Sequence, residues 1–309
     1  MGKIKVSLIT TVLNEESSLE HFLSSIALQS IKPAEVIIID GGSEDDTLKI
    51  AESYQGLIKN LKVLVKKGAN RSKGRNSAIK ISKNNIIAIC DAGCVLDKNW
   101  LEEIVKPFVN PKTDVVAGYY HADSRSFFEK CVAPYALVMP DRINPKSFLP
   151  SARSMAIKKS VWKKAGGFPE EFFDNEDFVF SHQLINIKAK IVFSPNAIVY
   201  WRPRKNLKEF WIMIFRFARG DAKAGLRRMK IANIFLRYVF IIFLGICCLI
   251  FNMLLPYLMF IILLYFCWSI SKNFKYVKDI RAIYLLPLLQ ITSDLAIIFG
   301  SIEGGLSSG

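Results

Sequence analysis

The stretch EVIIIDGGSEDDT, residues 35–47, decides the fold of this chain. Residues 36–39 are a run of apolar side chains of the kind that forms a buried strand. Gly41 and Gly42 indicate a sharp turn after that strand, and residues 43–46 supply capping side chains for a helix. A buried strand that passes through a turn into a helix predicts an α/β fold.

The same alternation occurs on both sides of that stretch. KVSLITTVL (5–13) predicts an earlier buried strand, and the apolar spacing over residues 19–27 predicts the helix that follows it. On the other side, LKVLV (61–65) and IIAIC (86–90) predict strands, with a helix over about 72–81 between them. Because strand and helix alternate in this way over about ninety residues, we expect a mostly parallel sheet with right-handed crossovers.

After Asp91 the predicted elements are less regular. They are helices near 98–108, 158–165 and 176–187, strands at 114–120, 191–193 and 197–200, and a polar, irregular stretch over 121–150.

Charge and apolar content divide the chain into two parts. The 309 residues include 42 Lys and Arg against 27 Asp and Glu, and 51% are hydrophobic, which excludes a disordered protein. Residues 238–270 are 33 consecutive positions without a charge, which is long enough for membrane helices. We therefore expect a soluble front part, with reduced cysteines facing the cytosol, and a membrane-bound back part.

The back part predicts a membrane anchor with a basic helix in front of it. Residues 206–226 predict an amphipathic interfacial helix, because their basic side chains lie off one apolar stripe. The stripe comprises Leu207, Phe210, Trp211, Ile214 and Phe215. The alternative is a helix packed on protein, with a solvated basic face. Transmembrane helices are predicted at about 231–251, 253–270 and 282–302, the last with Pro287 and the intramembrane carboxylate Asp294.

Basic clusters next to the predicted spans indicate their orientation. The first cluster is Arg227, Arg228 and Lys230, and the second, in a predicted loop, is Lys272, Lys275, Lys278 and Arg281. Such clusters favour the cytoplasmic side. We therefore predict an integral membrane protein with its front domain in the cytoplasm, divided into 1–200, 201–230 and 231–309.

Acidic and basic side chains collect where the predicted parallel strands end. Residues 11–15 follow the first strand, Asp40 the second, the basic region 66–75 the third, and Asp91 the fourth. Ligands of open parallel sheets lie outside the carboxyl ends of the strands. The sequence lacks GxGxxG, GxxxxGK[ST] and GxSxG and has three His, which disfavours dinucleotide folds, phosphate-loop NTPases, serine hydrolases and zinc proteases. The acids and bases suit a nucleotide bound through a metal-bridged diphosphate.

At these residues the chain resembles the family-two inverting glycosyltransferases with the GT-A fold. The elements that carry the resemblance, in family order over residues 4 to about 200, are TTVLNEE, IIIDGGSEDDT, NRSKGRNSAI, CDAGC at the place of the DxD element, and GGFPEEFFDNED. The resemblance implies a GT-A nucleotide-binding domain that takes a nucleotide-sugar donor.

The resemblance also implies roles for single residues. The implied substrate-binding residues are Thr11, Glu15, Asp40, Arg75, Asp91 and Glu176. Glu15 and Asp40 would lie at the nucleobase and Arg75 near the diphosphate. Asp91 would lie at the ribose or the metal, and Asp177 would be the general base. Taken singly, these acids also fit plainer roles in a turn, a cap or the first turn of a helix.

Two departures from the family pattern limit the resemblance. Gly93 stands where the family element has its second acid. Asp91, donor phosphates and water would then hold the divalent cation, Mg²⁺ or Mn²⁺. The sequence also lacks the (Q/R)xxRW element of processive synthases, so we do not expect chain extrusion.

Together these features predict an inverting glycosyltransferase that moves a sugar from a nucleotide-sugar donor to a membrane-associated, polyprenyl-linked acceptor at the cytoplasmic face. The alternatives are a membrane-tethered glycosyltransferase with a soluble or protein acceptor, and a non-catalytic membrane protein that binds nucleotide sugars. We expect no nucleic-acid partner, because the sequence has no recognised nucleic-acid-binding module and the basic residues adjoin the spans.

Overall fold

The computed structural model describes residues 4–226 and 229–307 of the chain. These residues form two compact units. The first contains residues 4–123 and Met139–Arg202, and the second contains Ser124–Val138 and the described residues from Pro203 onwards. The domain boundaries predicted at residues 200 and 230 stay a prediction.

The strands of the first unit form one mixed sheet, which has eight strands within the described ranges. They are β1 Val6–Val12, β2 Glu35–Asp40, β3 Leu61–Val65, β4 Ile86–Ile89, β5 Cys94–Leu96, β6 Val115–Ala122, β7 Met155–Lys158 and β8 Ile191–Trp201. Their spatial order is β3-β2-β1-β4-β7-β6-β8-β5. Strands β1 to β4 pair in parallel, β6 pairs in parallel with β8, and β7 and β5 are antiparallel to their neighbours. The predicted α/β fold is therefore confirmed.

The helices lie between and after these strands. In chain order they are α1 Leu19–Ala27, α2 Thr47–Ser53, α3 Arg71–Ile81, α4 Trp100–Val105, α5 Phe127–Ala136, α6 Lys159–Lys164, α7 Glu176–Asn186, α8 Leu207–Lys223, α9 Met229–Ile250, α10 Leu255–Val277 and α11 Ala282–Leu306. Short 3-10 helices cover Lys106–Val109, Pro140–Arg142 and Asn252–Leu254.

An apolar cluster holds α3 and α7 on the parallel part of the sheet. Ile9, Ile37 and Ile89 extend into it from three adjacent strands, and Ile79 of α3 and Phe180 of α7 complete it from above. Full burial of each such side chain stabilises the fold by about 1.5–3 kcal/mol. The two helices that carry the candidate site therefore share one core.

Several elements of the first unit differ from the sequence prediction. The short strands β5 and β7 were not predicted, because three or four residues carry too little periodicity. The two strands predicted at 191–193 and 197–200 are one continuous strand, β8, and a register shift in its pairing with β6 accommodates the irregular stretch between them.

Part of the stretch predicted as irregular, 121–150, is the helix α5 in the second unit. Ser126 caps it by accepting a hydrogen bond from the Glu129 N–H, and Glu129 accepts one in return from the Ser126 N–H, which completes a capping box. Pro134 lies inside the helix and obscured the helical pattern in the sequence. Similarly, α10 continues to Val277 and includes most of the basic segment that was predicted as a loop.

Helices α8 and α11 of the second unit pack closely through glycines. A Cβ atom at Gly300 would lie 2.4 Å from the Phe215 carbonyl oxygen, and one at Gly304 would lie 2.3 Å from the Arg219 carbonyl oxygen. Both contacts advance by four residues in each helix, so the helices run side by side in the same direction. Small residues at this spacing are what close helix packing requires.

This packing corrects the prediction that the whole apolar stripe of α8 enters lipid. Phe210 and Ile214 are buried inside the second unit, and the Phe210 ring lies 5.7 Å from the Tyr135 ring of α5. Leu207 is partly exposed. Phe210 and Ile214 of the stripe therefore serve protein packing, as in the alternative that the sequence left open.

Within the described residues, three helices are long and apolar enough to cross a membrane: Ile231–Ile250, Asn252–Val277 and Ala282–Leu306. They match the three predicted spans in place. The first two are mostly exposed, and the third is about half buried in the protein. Of the first basic cluster, Arg227 and Arg228 lie outside the described residues, as does the side chain of Lys230.

Candidate active site

Asp40 ends β2, and its carboxylate folds back onto the glycine turn. Asp40 Oδ1 accepts hydrogen bonds from the backbone N–H groups of Gly42 at 2.6 Å and Ser43 at 2.8 Å. Gly42 has a φ of 102°, which glycine adopts without a steric cost. Asp40 Oδ2 is buried and has no hydrogen-bond partner among the described residues. This oxygen can accept a hydrogen bond from an N–H or O–H group.

The loop after β1, which carries Glu15, is tied to the loop that follows Asp40. The Asn14 N–H donates to Ser43 Oγ at 2.9 Å, and the Glu15 N–H donates to Thr47 Oγ1 at 2.7 Å. Asp40, the last residue of β2, and Glu15, in the loop after β1, therefore belong to segments that hydrogen bonds hold together at the carboxyl ends of the two strands.

Gly74 allows α3 to approach the end of β1. A Cβ atom at Gly74 would lie 2.5 Å from Thr11 Cγ2, closer than real Cβ contacts. Any larger residue would push the helix away from Thr11. The glycine of the NRSKGRNSAI segment therefore sets the position of its neighbour, Arg75.

Arg75 joins the end of β4 to the start of α7. Its Nη2 donates to Asp91 Oδ1 at 2.8 Å, and its Nη1 donates to Glu176 Oε1 at 2.7 Å. The side chains of Arg75 and Glu176 are 2% and 3% exposed. The guanidinium also lies 5.3 Å from the centre of the Phe168 ring. A buried guanidinium is stable only when it is paired in this way.

The opposite charges of this network stabilise one another's ionised forms. Burial alone would raise the pKa of Asp91, but the positive charges of Arg75, Arg71 and Arg153 outweigh burial and hold that pKa below its ordinary value. Burial also disfavours the charged form of Arg75, but Asp91 and Glu176 raise the pKa of the guanidinium further above its usual range. Asp91 is therefore an anion at neutral pH.

Asn76, next to Arg75, anchors the GGFPEE segment before α7. Its Oδ1 accepts hydrogen bonds from the Phe168 N–H at 2.9 Å and from Trp162 Nε1 at 3.1 Å, and its Nδ2 donates to the Phe168 carbonyl at 2.8 Å. Adjacent residues of one helix therefore fix both the segment that leads into α7 and the first turn of α7.

Asp177 is held in a defined orientation and is partly exposed. Its Oδ2 accepts hydrogen bonds from Ser151 Oγ at 2.9 Å and the Ala152 N–H at 3.2 Å, and its Oδ1 accepts one from the Phe178 N–H at 2.8 Å. Asn175, with a φ of 60°, turns the chain into α7 just before it. A fixed, accessible carboxylate can accept a proton from a substrate hydroxyl.

Asp91 is the carboxylate best placed to hold a divalent cation, because its side chain is 37% exposed. The described part of the chain contains no group of three or more His, Cys, Asp or Glu that could hold a metal ion. Gly93 is exposed, and a Cβ atom there would meet nothing within 4 Å. A single carboxylate fits Mg²⁺ or Mn²⁺ when phosphates and water supply the other ligands.

Two further arginines add positive charge near Asp91. Arg71 begins α3, its side chain is 60% exposed, and its Nη1 lies 3.9 Å from Glu176 Oε2. The Arg153 guanidinium lies 4.9 Å from the Trp201 ring centre and 5.5 Å from that of Tyr120. Arg71 is more open to an anionic ligand than Arg75, which is enclosed, so the contact of Arg75 with a diphosphate stays a prediction.

The structure brings four of the predicted site residues into one network: Arg75, Asp91, Glu176 and Asp177. Thr11 near the end of β1, Glu15 in the loop after it and Asp40 at the end of the neighbouring strand β2 lie along the same edge of the sheet. Sequence reasoning missed Ser151, because a serine in a segment predicted as irregular gives no signal of its contact with Asp177.

Residues 7–153 match the family model described as glycosyl transferase family 2. The chain carries a family-two glycosyltransferase domain. The matched range includes Asp40, Arg75 and Asp91 and ends before Asp177. Glycosyltransferase AglE of Haloferax volcanii is 23% identical over 237 residues, which cover 74% of this chain and 77% of the relative. The O-antigen chain rhamnosyltransferase RfbN of Salmonella typhimurium is 23% identical over 227 residues, which cover 67% and 71%.

The mannosyltransferase PcManGT from Pyrobaculum calidifontis, solved in complex with GDP-Man and Mn²⁺, has the same fold. The likeness covers 99% of this chain and 76% of that chain, with a TM-score of 0.56 and 16% identity. The domain, the relatives and the fold confirm the prediction that this protein is a glycosyltransferase of the GT-A type.

Proposed function

We propose that this glycosyltransferase moves a sugar, with inversion, from a nucleotide sugar to a polyprenyl-linked acceptor at the cytoplasmic face of a membrane. The observation that carries the proposal is the buried Arg75, which pairs with Asp91 at a strand end and with Glu176 in the first turn of α7. A donor-side acid and the helix that carries Asp177 are thereby fixed together.

The donor end of the site consists of acceptors for a nucleoside. The buried, unpartnered Oδ2 of Asp40 suits a base N–H, and Glu15 lies on the adjoining loop. Arg71 and the start of α3 offer positive charge to a diphosphate. The GDP-Man bound to PcManGT is consistent with this use of the fold.

A divalent cation fits the partly exposed carboxylate of Asp91. When bound, Mg²⁺ or Mn²⁺ would offset the charge on the diphosphate leaving group. The Mn²⁺ of PcManGT supports this choice of metals.

Asp177, rather than its neighbour Glu176, suits the role of general base. The Glu176 side chain is 3% exposed and bonded to Arg75, whereas Asp177 is partly exposed. Asp177 takes the proton of the acceptor hydroxyl as that oxygen attacks the anomeric carbon, and the bond to the diphosphate breaks on the opposite face. A placed base of this kind contributes typically about 10²- to 10⁴-fold to the rate.

The second unit supports a membrane acceptor. The hairpin of its apolar helices α9 and α10 can anchor the enzyme beside lipid, and α8 carries the basic side chains of Arg216, Lys223 and Arg219, the last paired with Glu303 at 2.9 Å. Basic residues next to apolar helices favour the cytoplasmic face, and each attracts anionic headgroups by about 1 kcal/mol.

The test is a transfer assay in membranes that contain the wild-type protein or Asp177→Asn. Membranes are incubated with a panel of nucleotide sugars, and lipid extracts are analysed by mass spectrometry. We expect a new glycolipid with the wild type alone, while Asp177→Asn binds nucleotide within a few fold of the wild type. Sugar transferred to soluble or protein material instead would contradict the lipid acceptor, and equal activity of the variant would contradict the base assignment.

A further inference from the structure

Side chains from three helices of the second unit converge on Asp294 of α11. Asp294 Oδ2 accepts hydrogen bonds from Arg237 of α9 and, at 2.8 Å, from the Tyr265 hydroxyl of α10, and its Oδ1 accepts one from Gln290 at 2.9 Å. Asp294 is 1% exposed. The carboxylate that the sequence places in an apolar segment is therefore fully engaged, and it fixes Arg237 in place.

Two cations of this cluster lie against one indole ring. Arg237 Cζ is 5.3 Å and Lys272 Nζ is 5.0 Å from the centre of the Trp268 ring. Lys272 also donates to Gln290 Oε1 at 3.0 Å. Trp268 is 42% exposed. The cations therefore share an aromatic platform that reaches the surface of the unit.

Arg237 retains hydrogen-bonding capacity after its pairing with Asp294. A guanidinium has five N–H donors. The Nη2 group bonds to Asp294, and Nε is buried and has no hydrogen-bond partner within the described ranges, so the donors that a ligand can reach lie in the exposed part of the side chain. The Arg237 side chain is 27% exposed. An acceptor that arrives from the surface can therefore meet an oriented guanidinium.

The positions of Arg237 and Lys272 in the chain place both at one level of the membrane. They stand at the two ends of the uncharged stretch that forms the hairpin of α9 and α10. Because the two arms of a hairpin begin and end on the same side, both cations lie near the same face of the membrane, within two turns of the outer ends of the helices that could cross it. Basic residues and Trp or Tyr rings are typical of that level.

We propose that Arg237 and Lys272 form a binding site for the phosphate of an anionic lipid headgroup. The guanidinium offers directed donors and the ammonium a point charge, which together suit a phosphate. In this site the rings of Trp268 and Tyr265 adjoin the first methylene groups of the lipid's hydrocarbon chain. This inference goes beyond the proposed function, because it holds for an acceptor lipid and for a bilayer lipid alike.

The test measures lipid binding by the full-length protein in neutral phosphatidylcholine nanodiscs. The probes are a polyprenyl monophosphate, phosphatidylglycerol and inorganic phosphate. We expect Lys272→Met to weaken binding of both anionic lipids, the polyprenyl monophosphate and phosphatidylglycerol, about fivefold. Lys275→Met, which removes an exposed lysine from the next turn of α10, should change it less than about twofold. Equal effects of the two variants would overturn the proposal.

Asp294→Asn separates ligand binding from a purely structural ion pair. The substitution removes the negative charge of Asp294 and frees N–H donors of Arg237. We therefore expect the folded variant to bind the anionic lipids more tightly. The melting temperature of the variant shows whether it is folded. If the folded variant binds these lipids more weakly than the wild type, the cluster only holds the helices together.

The probes also identify the source of the phosphate. A polyprenyl monophosphate that binds at least tenfold more tightly than phosphatidylglycerol indicates the acceptor lipid, equal affinities indicate a bilayer lipid, and comparable binding of inorganic phosphate indicates the headgroup alone. Asp177→Asn should leave all three affinities unchanged, so a failure of the proposed base does not affect this test.

Discussion

Arg75 Nη1 donates to Glu176 Oε1 at 2.7 Å, although 101 residues separate the two in the chain. This ion pair fixes the first turn of α7, and so Asp177, relative to α3. Because both side chains are almost fully buried, the position of Asp177 depends on this ion pair staying intact.

The first prediction concerns the stability that depends on this pair. Arg75→Ala leaves Glu176 buried without its cation and should destabilise the fold by about 3–5 kcal/mol. Arg71→Ala is the matched control, because Arg71 is 60% exposed and 3.9 Å from the same carboxylate, so its loss should cost less than about 1 kcal/mol. The melting temperatures of the purified variants provide the measurement. Similar losses in both variants would contradict a special role for Arg75.

The parallel part of the fold was predictable because its strands are long, apolar and separated by clear turns. β3 lies at the predicted residues 61–65, and α3 and α7 begin within one residue of their predicted starts. Short antiparallel strands such as β7 were not predictable, since four residues between a loop and the helix α6 have no pattern of their own. The place of α5 in the second unit depends on tertiary contacts that no local pattern encodes.

The candidate site was predictable as a set of residues but not as a geometry. Asp40 and Asp91 follow strands, so their meeting at one edge follows from a parallel sheet. That Arg75 would be enclosed depends on the close approach at Gly74 and on Glu176 closing over it. These contacts join distant parts of the chain, and charge and spacing alone do not reveal them.

The second prediction is a pH dependence of stability that comes from Asp91. The folded-state pKa of Asp91 lies below the ordinary value of 3.8, so its contribution to stability is complete above that value and is lost as the pH falls through the lowered pKa. The difference in melting temperature between the wild type and Asp91→Asn should be constant at neutral pH and shrink below about pH 4. A difference that stays constant into strong acid would show that Asp91 does not contribute through its charge.

The third prediction is that Ser151 positions Asp177. Ser151→Ala removes a 2.9 Å hydrogen bond to Asp177 Oδ2, a loss worth about 0.5–1.5 kcal/mol. We expect kcat to fall about three- to tenfold while the KM for the nucleotide sugar stays within about twofold. In the Asp177→Asn background the same substitution should have no further effect on kcat, because the base is already absent. A rise in the donor KM instead would place Ser151 in donor binding.

The fourth prediction uses the open space at Gly93. Gly93→Asp restores an acid two residues after Asp91, and a Cβ atom there meets nothing within 4 Å. We expect the concentration of Mn²⁺ that gives half-maximal activity to fall, because a second carboxylate adds a ligand. Titration of Mn²⁺ in the presence of a nucleoside diphosphate measures the same change as a binding affinity. Gly56→Asp is the matched control, since its Cβ also meets nothing within 4 Å, and an equal shift in both variants would reflect net charge only.

The fifth prediction is that α11 does not cross the membrane, although it is apolar enough to do so. It runs alongside α8 through Gly300 and Gly304, so the two helices share one orientation. A crossing α8 would carry Arg216 and Asp221 into hydrocarbon, where each charge costs about 2.5–3.5 kcal/mol at the centre of a span. We therefore expect both helices to stay on one side, leaving the hairpin of α9 and α10 as the anchor in the described chain.

Cysteine labelling tests this arrangement in sealed vesicles of known orientation, with the six native cysteines replaced. The two labelling positions are Leu306→Cys, at the end of α11, and Met253→Cys, in the turn of the hairpin. The native Leu306 and Met253 are 81% and 76% exposed. If α11 stays with α8, an impermeant maleimide reaches position 306 from the cytoplasmic side, and it reaches position 253 only from the opposite side. Labelling of both positions from the same side would mean that α11 crosses, and α8 would then have to leave its glycine contacts with it.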